Sequence, residues 1–279
     1  ILVFLRNFRQ YLPFILPLLL PLISTNDCYI RWWFAFSFFI LSLNSYLHKN
    51  NAWALLWFLC AFFIHFGIIV LAPIIVFAPF INRRTIPPII AIVLMFATSF
   101  ILSLSSFTFL INLSSQFLGL GLVGSGEKAD IYLNSTQDLI NGDFGRLGLY
   151  ERSIMNKIRP LIAFIPTVYF MRNYIDKIKY GIFFYNLFVI GAILRPICLV
   201  EILDRYASSF AFFSCVVCGV YFYQAYKNRN TQSLLYFIIA MLGLFVSVWP
   251  TLSLLWKTEN VFDMMFIWDA GGRNYLPIR

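Results

Sequence analysis

No Asp, Glu, Lys or Arg occurs between Lys49 and Arg83. About 20 apolar residues suffice to cross a bilayer. The run over 52–80 is therefore too long for one straight crossing and too short for two. Pro73 and Pro79 predict that it is broken or strongly tilted, since proline removes a helix hydrogen bond and crowds the preceding turn. Two topologies follow. If the run crosses once, Arg83, Arg84, Arg172, Lys177, Lys179, Lys227 and Arg229 share one side, with Arg6, Arg9 and Lys49 on the other. If it enters and returns, the early helices flip, all the basic loops fall together and Arg31 moves to the other side. Lys and Arg in short loops mark the cytoplasmic side.

The rest of the chain repeats the pattern. Apolar stretches predict further helices near 10–25, 30–47, 88–112, 157–173, 181–203, 207–226 and 233–256. Hydrophobic residues make up 61% of the chain and charged ones 12%, against about 25% charged in soluble domains. The expected fold class is all-α: a polytopic helical membrane protein of about eight transmembrane helices, forming one transmembrane domain over 1–279. The runs are too uniformly apolar for the alternating strands of a membrane barrel. The chain begins Ile-Leu-Val, without Met and inside an apolar context, which reads as N-terminal truncation. Its net charge of +9 sits in short loops and reads as topology signalling, not nucleic-acid binding. One connection is large: 113–156, with "GLGLVGSGEKADIYLNSTQDLINGDFGRLGLYERS", is polar and Gly-rich and is expected at the outer face.

Few polar residues interrupt the apolar runs. "AILRPICLVEILDRY" (192–206) carries Arg195, Glu201, Asp204 and Arg205. The last three are expected at the outer end of a helix, before a turn at 203–207, with Arg195 about two turns deeper. Arginine near mid-membrane costs at least ~2.5 kcal/mol on insertion scales, so Arg195 should face a polar cavity or a partner. Two readings stand: a structural Arg195–Glu201 pair, or an anion-binding cavity. His65, within "AFFIHFGII", is either a hydrogen-bonded core histidine or a base that positions a hydroxyl. Arg31, beside Trp32 and Trp33, is either an interfacial anchor or a phosphate fork.

Other motifs carry less. Gly119, Gly121 and Gly124 match the spacing of a dinucleotide fingerprint, but they follow an apolar helix and not a strand. Cys215 and Cys218 have redox spacing inside a helix, where small buried residues are the better reading. The two histidines, His48 and His65, form no metal constellation, and no cofactor is called for. Any chemistry rests on Arg, His and carboxylates near a membrane face.

"YIRWWFAFSFFILSLNSYLHKNNAWALLWFLCAFFIHFGIIVLAP" resembles the EpsG-like branch of O-antigen and exopolysaccharide polymerases, with Arg31, Lys49 and His65 at the family's landmarks. "LRPICLVEILDRYASSFAFF" is similar to a second landmark, an Arg followed by an aromatic, here Arg205-Tyr206. "EKADIYLNS" resembles the Tyr-bearing stretch of the large loop, here Tyr132. Gly67 stands where a small hydroxyl residue is often found. The resemblance implies a GT-C-like glycosyltransferase in the bacterial inner membrane. It would join undecaprenyl-pyrophosphate-linked oligosaccharide repeats at the outer face, among membrane lipids and with a possible chain-length regulator. Arg31, Arg195, Arg205, Tyr206 and Tyr132 would bind substrate; His65, Glu201 or Asp204 would activate the acceptor hydroxyl. A carrier or flippase for lipid-linked sugars is the alternative from another class, and a membrane O-acyltransferase a third.

Overall fold

The computed structural model describes residues 6–24, 30–100, 154–172, 174–175, 178–194 and 201–228, with scattered positions between 231 and 245. Residues 113–153 of the large connection, with Tyr132, and Arg195 lie outside these residues, as do the side chains of Glu201, Asp204 and Arg205, while 154–156 of the connection belong to a helix. Among the described residues all regular structure is helical. The α-helices are α1 (Leu12–Ser24), α2 (Ile30–Leu47), α3 (Asn51–Ile64), α4 (Ala72–Val76), α5 (Ala78–Ile81), α6 (Pro88–Phe100), α7 (Ile154–Met171), α8 (Gly181–Leu194) and α9 (Glu201–Asn228). Two 3-10 turns, Arg6–Tyr11 and Phe66–Leu71, precede α1 and α4.

The charge-free run turns back on itself. α2 and α3 form a tight antiparallel pair, closed by Lys49 in the left-handed backbone region and fixed by the Ser42 hydroxyl donating to the Ala54 carbonyl at 2.6 Å. α3 descends 14 residues, about 21 Å at 1.5 Å per residue, to Ile64. There the helix breaks. His65 is extended, with φ −150° and ψ 106°, and the 3-10 turn reverses the chain. α4 and α5 then climb back along α8, each with a proline in its first turn, where the missing N–H costs nothing. Pro73 and Pro79 thus each open a short helix, with the run broken at Phe77 between them as expected, and a further break falls at His65.

Asn186, buried in α8, fixes where the returning limb ends. Its Nδ2 donates to the carbonyls of Ile81 (2.5 Å) and Arg84 (2.7 Å), and its Oδ1 accepts from the Ile86 N–H at 2.9 Å. Tyr185 adds a bond to the Ile86 carbonyl at 3.3 Å. The α2–α3 turn lies at the same end of α8: the Tyr180 hydroxyl donates to the Leu47 carbonyl at 2.6 Å, and Lys179 meets His48 at 3.3 Å. Phe8 packs on Phe184 with ring centroids 5.3 Å apart, which brings the N-terminal turn there too. Arg9, Lys49, Arg83, Arg84, Arg172, Lys179 and Lys227 are all exposed, and all lie at this one end. Of the two sequence topologies, the geometry is that of the returning run.

The boundaries expected at 181–203 and 207–226 need correction. Residues 201–228 form one 28-residue helix, so no turn exists at 203–207. Nothing from Glu201 to Ser209 breaks a helix, and acidic Glu201 and Asp204 suit the positive end of a helix dipole. The Ser209–Asn228 part is long and apolar enough to span a bilayer by itself. The described residues do not establish a count of eight transmembrane helices.

Both the inside and the outside of the bundle are apolar. Phe36, Phe39, Phe183, Phe188, Phe212 and Phe213 are fully buried, yet Phe63 is 81% exposed, Ile89 76% and Phe80 69%. Exposed apolar surface on this scale fits lipid, not water. With lipid outside, close packing holds the helices together. Small residues permit it: a Cβ on Gly191 would stand 2.6 Å from Phe210 Cβ, and one on Gly219 would stand 2.5 Å from Ile15 Cγ1.

Candidate functional site

The end of the bundle opposite the basic loops gathers several of the chain's polar landmarks. α2 starts there, α3 breaks there and α9 starts there. His65 sits at the break, and its side chain closes the break locally. The Gly67 N–H donates to His65 Nδ1 at 3.1 Å, so the imidazole caps the following turn. Its edge-to-face neighbour is Trp32, with centroids 5.2 Å apart and planes at 90°. Trp32 is fully buried and makes a second perpendicular contact, to Tyr206, also at 5.2 Å. Its indole Nε1–H donates to Ser209 Oγ at 3.0 Å. The Tyr206 hydroxyl donates to the Gly67 carbonyl at 3.4 Å. Three segments distant in sequence thus close one cluster of Trp32, His65, Gly67, Tyr206 and Ser209.

Of the residues read from sequence, the structure brings His65 and Tyr206 into this cluster. Arg31 immediately precedes Trp32 in the first turn of α2 and is exposed. Arg205 immediately precedes Tyr206, and Glu201 and Asp204 occupy the first turns of α9, so their backbones lie at the same end. Arg195 and Tyr132 lie outside the described residues.

Sequence reasoning had no role for Ser209, treated Trp32 as a neighbour of an interfacial anchor, and gave Gly67 little weight. The Trp32 signal was available, because a buried indole N–H needs an acceptor. Gly67 offers both backbone groups to the cluster. A Cβ there would stand 3.0 Å from His65 Cε1, 3.1 Å from Nδ1 and 3.5 Å from Trp32 Cζ3. A hydroxyl-bearing residue at this position would crowd the imidazole.

An apolar groove of about 340 Å³ adjoins the cluster. Leu71, Ile74 and Phe77 of the returning limb form one side, and Ile190, Leu194 and Phe210 the other. Tyr206 belongs to both groove and cluster. The Cys215 thiol donates to the Leu18 carbonyl at 3.3 Å, while Cys218 faces Thr167 at 3.8 Å. Neither thiol is in a disulfide, and the two address different helices, as packing residues do. No group of His, Cys, Asp and Glu among the described residues forms a metal site.

The family model for EpsG matches residues 1–258 of the chain. No curated protein and no solved structure matches it.

Proposed function

The chain belongs to the EpsG family, and from that premise we propose that it polymerises lipid-linked oligosaccharide repeats at the outer face of the bacterial inner membrane. The family points to a polysaccharide-polymerase role. The finer reading names both substrates as undecaprenyl-pyrophosphate-linked glycans. In the step itself, the bond from the donor's anomeric carbon to phosphate oxygen breaks. A bond from the acceptor hydroxyl oxygen to that carbon forms. The hydroxyl proton passes to a base, and pyrophosphate leaves on its lipid.

The observation that carries this reading is the convergence at one end of the bundle. The His65–Trp32–Tyr206 cluster lies there, Arg31 and Arg205 each adjoin one of its aromatic residues in sequence, and Glu201 and Asp204 share the turns of Arg205. Preorganised cations stabilise charge growing on a leaving pyrophosphate. A carboxylate or imidazole supplies the base. The adjoining apolar groove suits a hydrocarbon tail. The basic loops lie at the opposite end, which supports an outer-face position for the cluster by the positive-inside rule.

Deleting the gene and separating the surface glycan by gel tests the reading. Loss of polymer with single-repeat glycan retained is expected. Loss of all surface glycan would instead favour a flippase, since nothing would reach the outer face. Purified protein should lengthen lipid-linked repeats without nucleotide, and failure to do so would overturn the reading.

A further inference from the structure

The turn over 82–87 joins two helices that face lipid. Phe80 in α5 and Ile89 in α6, on either side of it, are among the most exposed apolar residues of the bundle. Arg83 and Arg84 lie between them and are themselves exposed. Arginines flanked this closely by lipid-facing residues sit at headgroup depth, where a long side chain reaches phosphate. The turn is also held in place. Asn186 of α8 binds the carbonyls of Ile81 and Arg84 and the N–H of Ile86.

A third arginine comes to the same spot. The buried Tyr185 hydroxyl lies 3.3 Å from the Ile86 carbonyl and 3.5 Å from the Val168 carbonyl. Ile86 follows Arg84 closely, and Val168 stands one helical turn before Arg172, which directly follows α7. The charge of Arg172 acts on the same hydroxyl, and Arg172 is exposed. Three arginine-bearing segments thus converge around one tyrosine.

Their own segments bring little to neutralise them. No Asp or Glu occurs between Asp27 and Glu127, so the turn and its flanking helices carry no carboxylate. From Arg172 to Lys179 there are three cations and one acid, Asp176. That balance leaves room for an anion from outside the chain.

We propose that Arg83, Arg84 and Arg172 form the headgroup site of one anionic phospholipid, with its acyl chains along Phe80 and Ile89. A guanidinium fork matches phosphate oxygens in two parallel hydrogen bonds. Basic pockets between helices at the cytoplasmic face suit such headgroups. The site lies at the end of the bundle away from His65, and its lipid is bound, not consumed. It depends on the membrane setting of the chain and not on the polymerase reading.

Arg9 provides an internal reference. It is exposed at the same end of the bundle. Its neighbour Phe8 packs on Phe184, which stands on nearly the opposite face of α8 from Asn186. A diffuse positive surface would use Arg9 and Arg84 alike, whereas a built site would use only Arg84.

The test is thermal unfolding of the purified protein in dodecyl maltoside, titrated with phosphatidylglycerol or with phosphatidylcholine. Phosphatidylglycerol should raise the unfolding temperature to a plateau, and phosphatidylcholine should not. Equal shifts with the two lipids would overturn the proposal. Inorganic phosphate should not reproduce the shift, and an equal shift from phosphate alone would make the patch a soluble-anion site instead. Arg84→Gln should raise the half-saturating phosphatidylglycerol concentration about fivefold, the effect of one basic residue near an anionic surface. Arg9→Gln should leave it unchanged, and an equal rise there would reduce the patch to a diffuse field. Replacing Arg83, Arg84 and Arg172 together by Lys keeps every charge and removes the forks, so the concentration should rise again. Wild-type affinity in that protein would remove the forks from the site. All these side chains are exposed, and if the triple variant fails to fold, Arg84→Gln against Arg9→Gln still decides. Turnover is not read, so loss of the polymerase reading would leave the lipid site standing.

Discussion

Trp32 and Ser209 stand 177 residues apart in sequence and 3.0 Å apart in space, joined by the indole Nε1–H and the serine hydroxyl. The bond ties the first turn of α2 to α9. It also orients the indole that contacts both His65 and Tyr206. Both residues are fully buried.

Trp32→Phe and Ser209→Ala should therefore couple. Trp32→Phe leaves the serine without its donor, and Ser209→Ala leaves a buried indole N–H without its acceptor. Polar contacts inside membrane proteins average about 0.6 kcal/mol in double-mutant cycles, with a maximum near ~1.7. A coupling in that range is expected from unfolding of the two single variants and the double variant in detergent. Strict additivity would show that the bond does not hold the cluster together.

The returning run makes a topological prediction. Asn50 and Thr85 flank it, and both ends of the run meet α8 near Tyr180 and Asn186. Single cysteines at Asn50 and Thr85, in a background without the five native cysteines, should have the same accessibility to an impermeant maleimide. Both should label only after spheroplasts are lysed, because the basic loops lie with them. Labelling of one position from outside and the other from inside would restore a single crossing.

Asn186 predicts a local effect. Its amide satisfies three backbone groups of the 81–86 segment. Asn186→Ala leaves them unpaired inside the bundle, at roughly 1–3 kcal/mol for each buried group left without a partner. Thermal stability should fall. Trypsin should cut faster after the already exposed Arg83 and Arg84, because cleavage needs the loop to open. An unchanged cleavage rate would mean that Tyr185 alone holds the loop.

The helical class and the returning run as one of two topologies were legible in the sequence, and His65 and Tyr206, both singled out there, lie in one cluster. Hydropathy fixes runs and charge fixes loops, and both act through solvent, so both show in one dimension. The reversal at His65 was not legible. Proline marks where a helix lacks a hydrogen bond, but the chain reverses where a side chain can replace the lost capping groups, and His65 does so through Gly67. The start of α9 was misplaced because the apolar run before Glu201 masked the acidic first turn. Ser209 and Trp32 were invisible as a pair, since nothing local in either segment encodes a contact across 177 residues.

The last prediction concerns the arginines at the cluster. Trp32 and Tyr206 pack with ring centroids 5.2 Å apart, and Arg31 and Arg205 are their immediate predecessors in α2 and α9. One aromatic pair thus fixes the relative position of the two arginine-bearing backbones. If they hold the donor's pyrophosphate, the guanidinium fork matters, because it meets phosphate oxygens in two parallel hydrogen bonds that an ammonium cannot reproduce. Arg205→Lys keeps the charge and loses the fork, and turnover should fall by about 10²–10³, or roughly 2.7–4 kcal/mol of barrier. Glu201→Gln should do less harm if that carboxylate only orients Arg205 one helical turn away. A structural Arg195–Glu201 pair predicts a different pattern. Each single change would destabilise the protein, and replacing both with apolar residues would restore it. The measurement is polymerisation of lipid-linked repeats by purified variants matched for thermal stability. Wild-type turnover in Arg205→Lys would remove Arg205 from pyrophosphate binding and leave the start of α9 as scaffold.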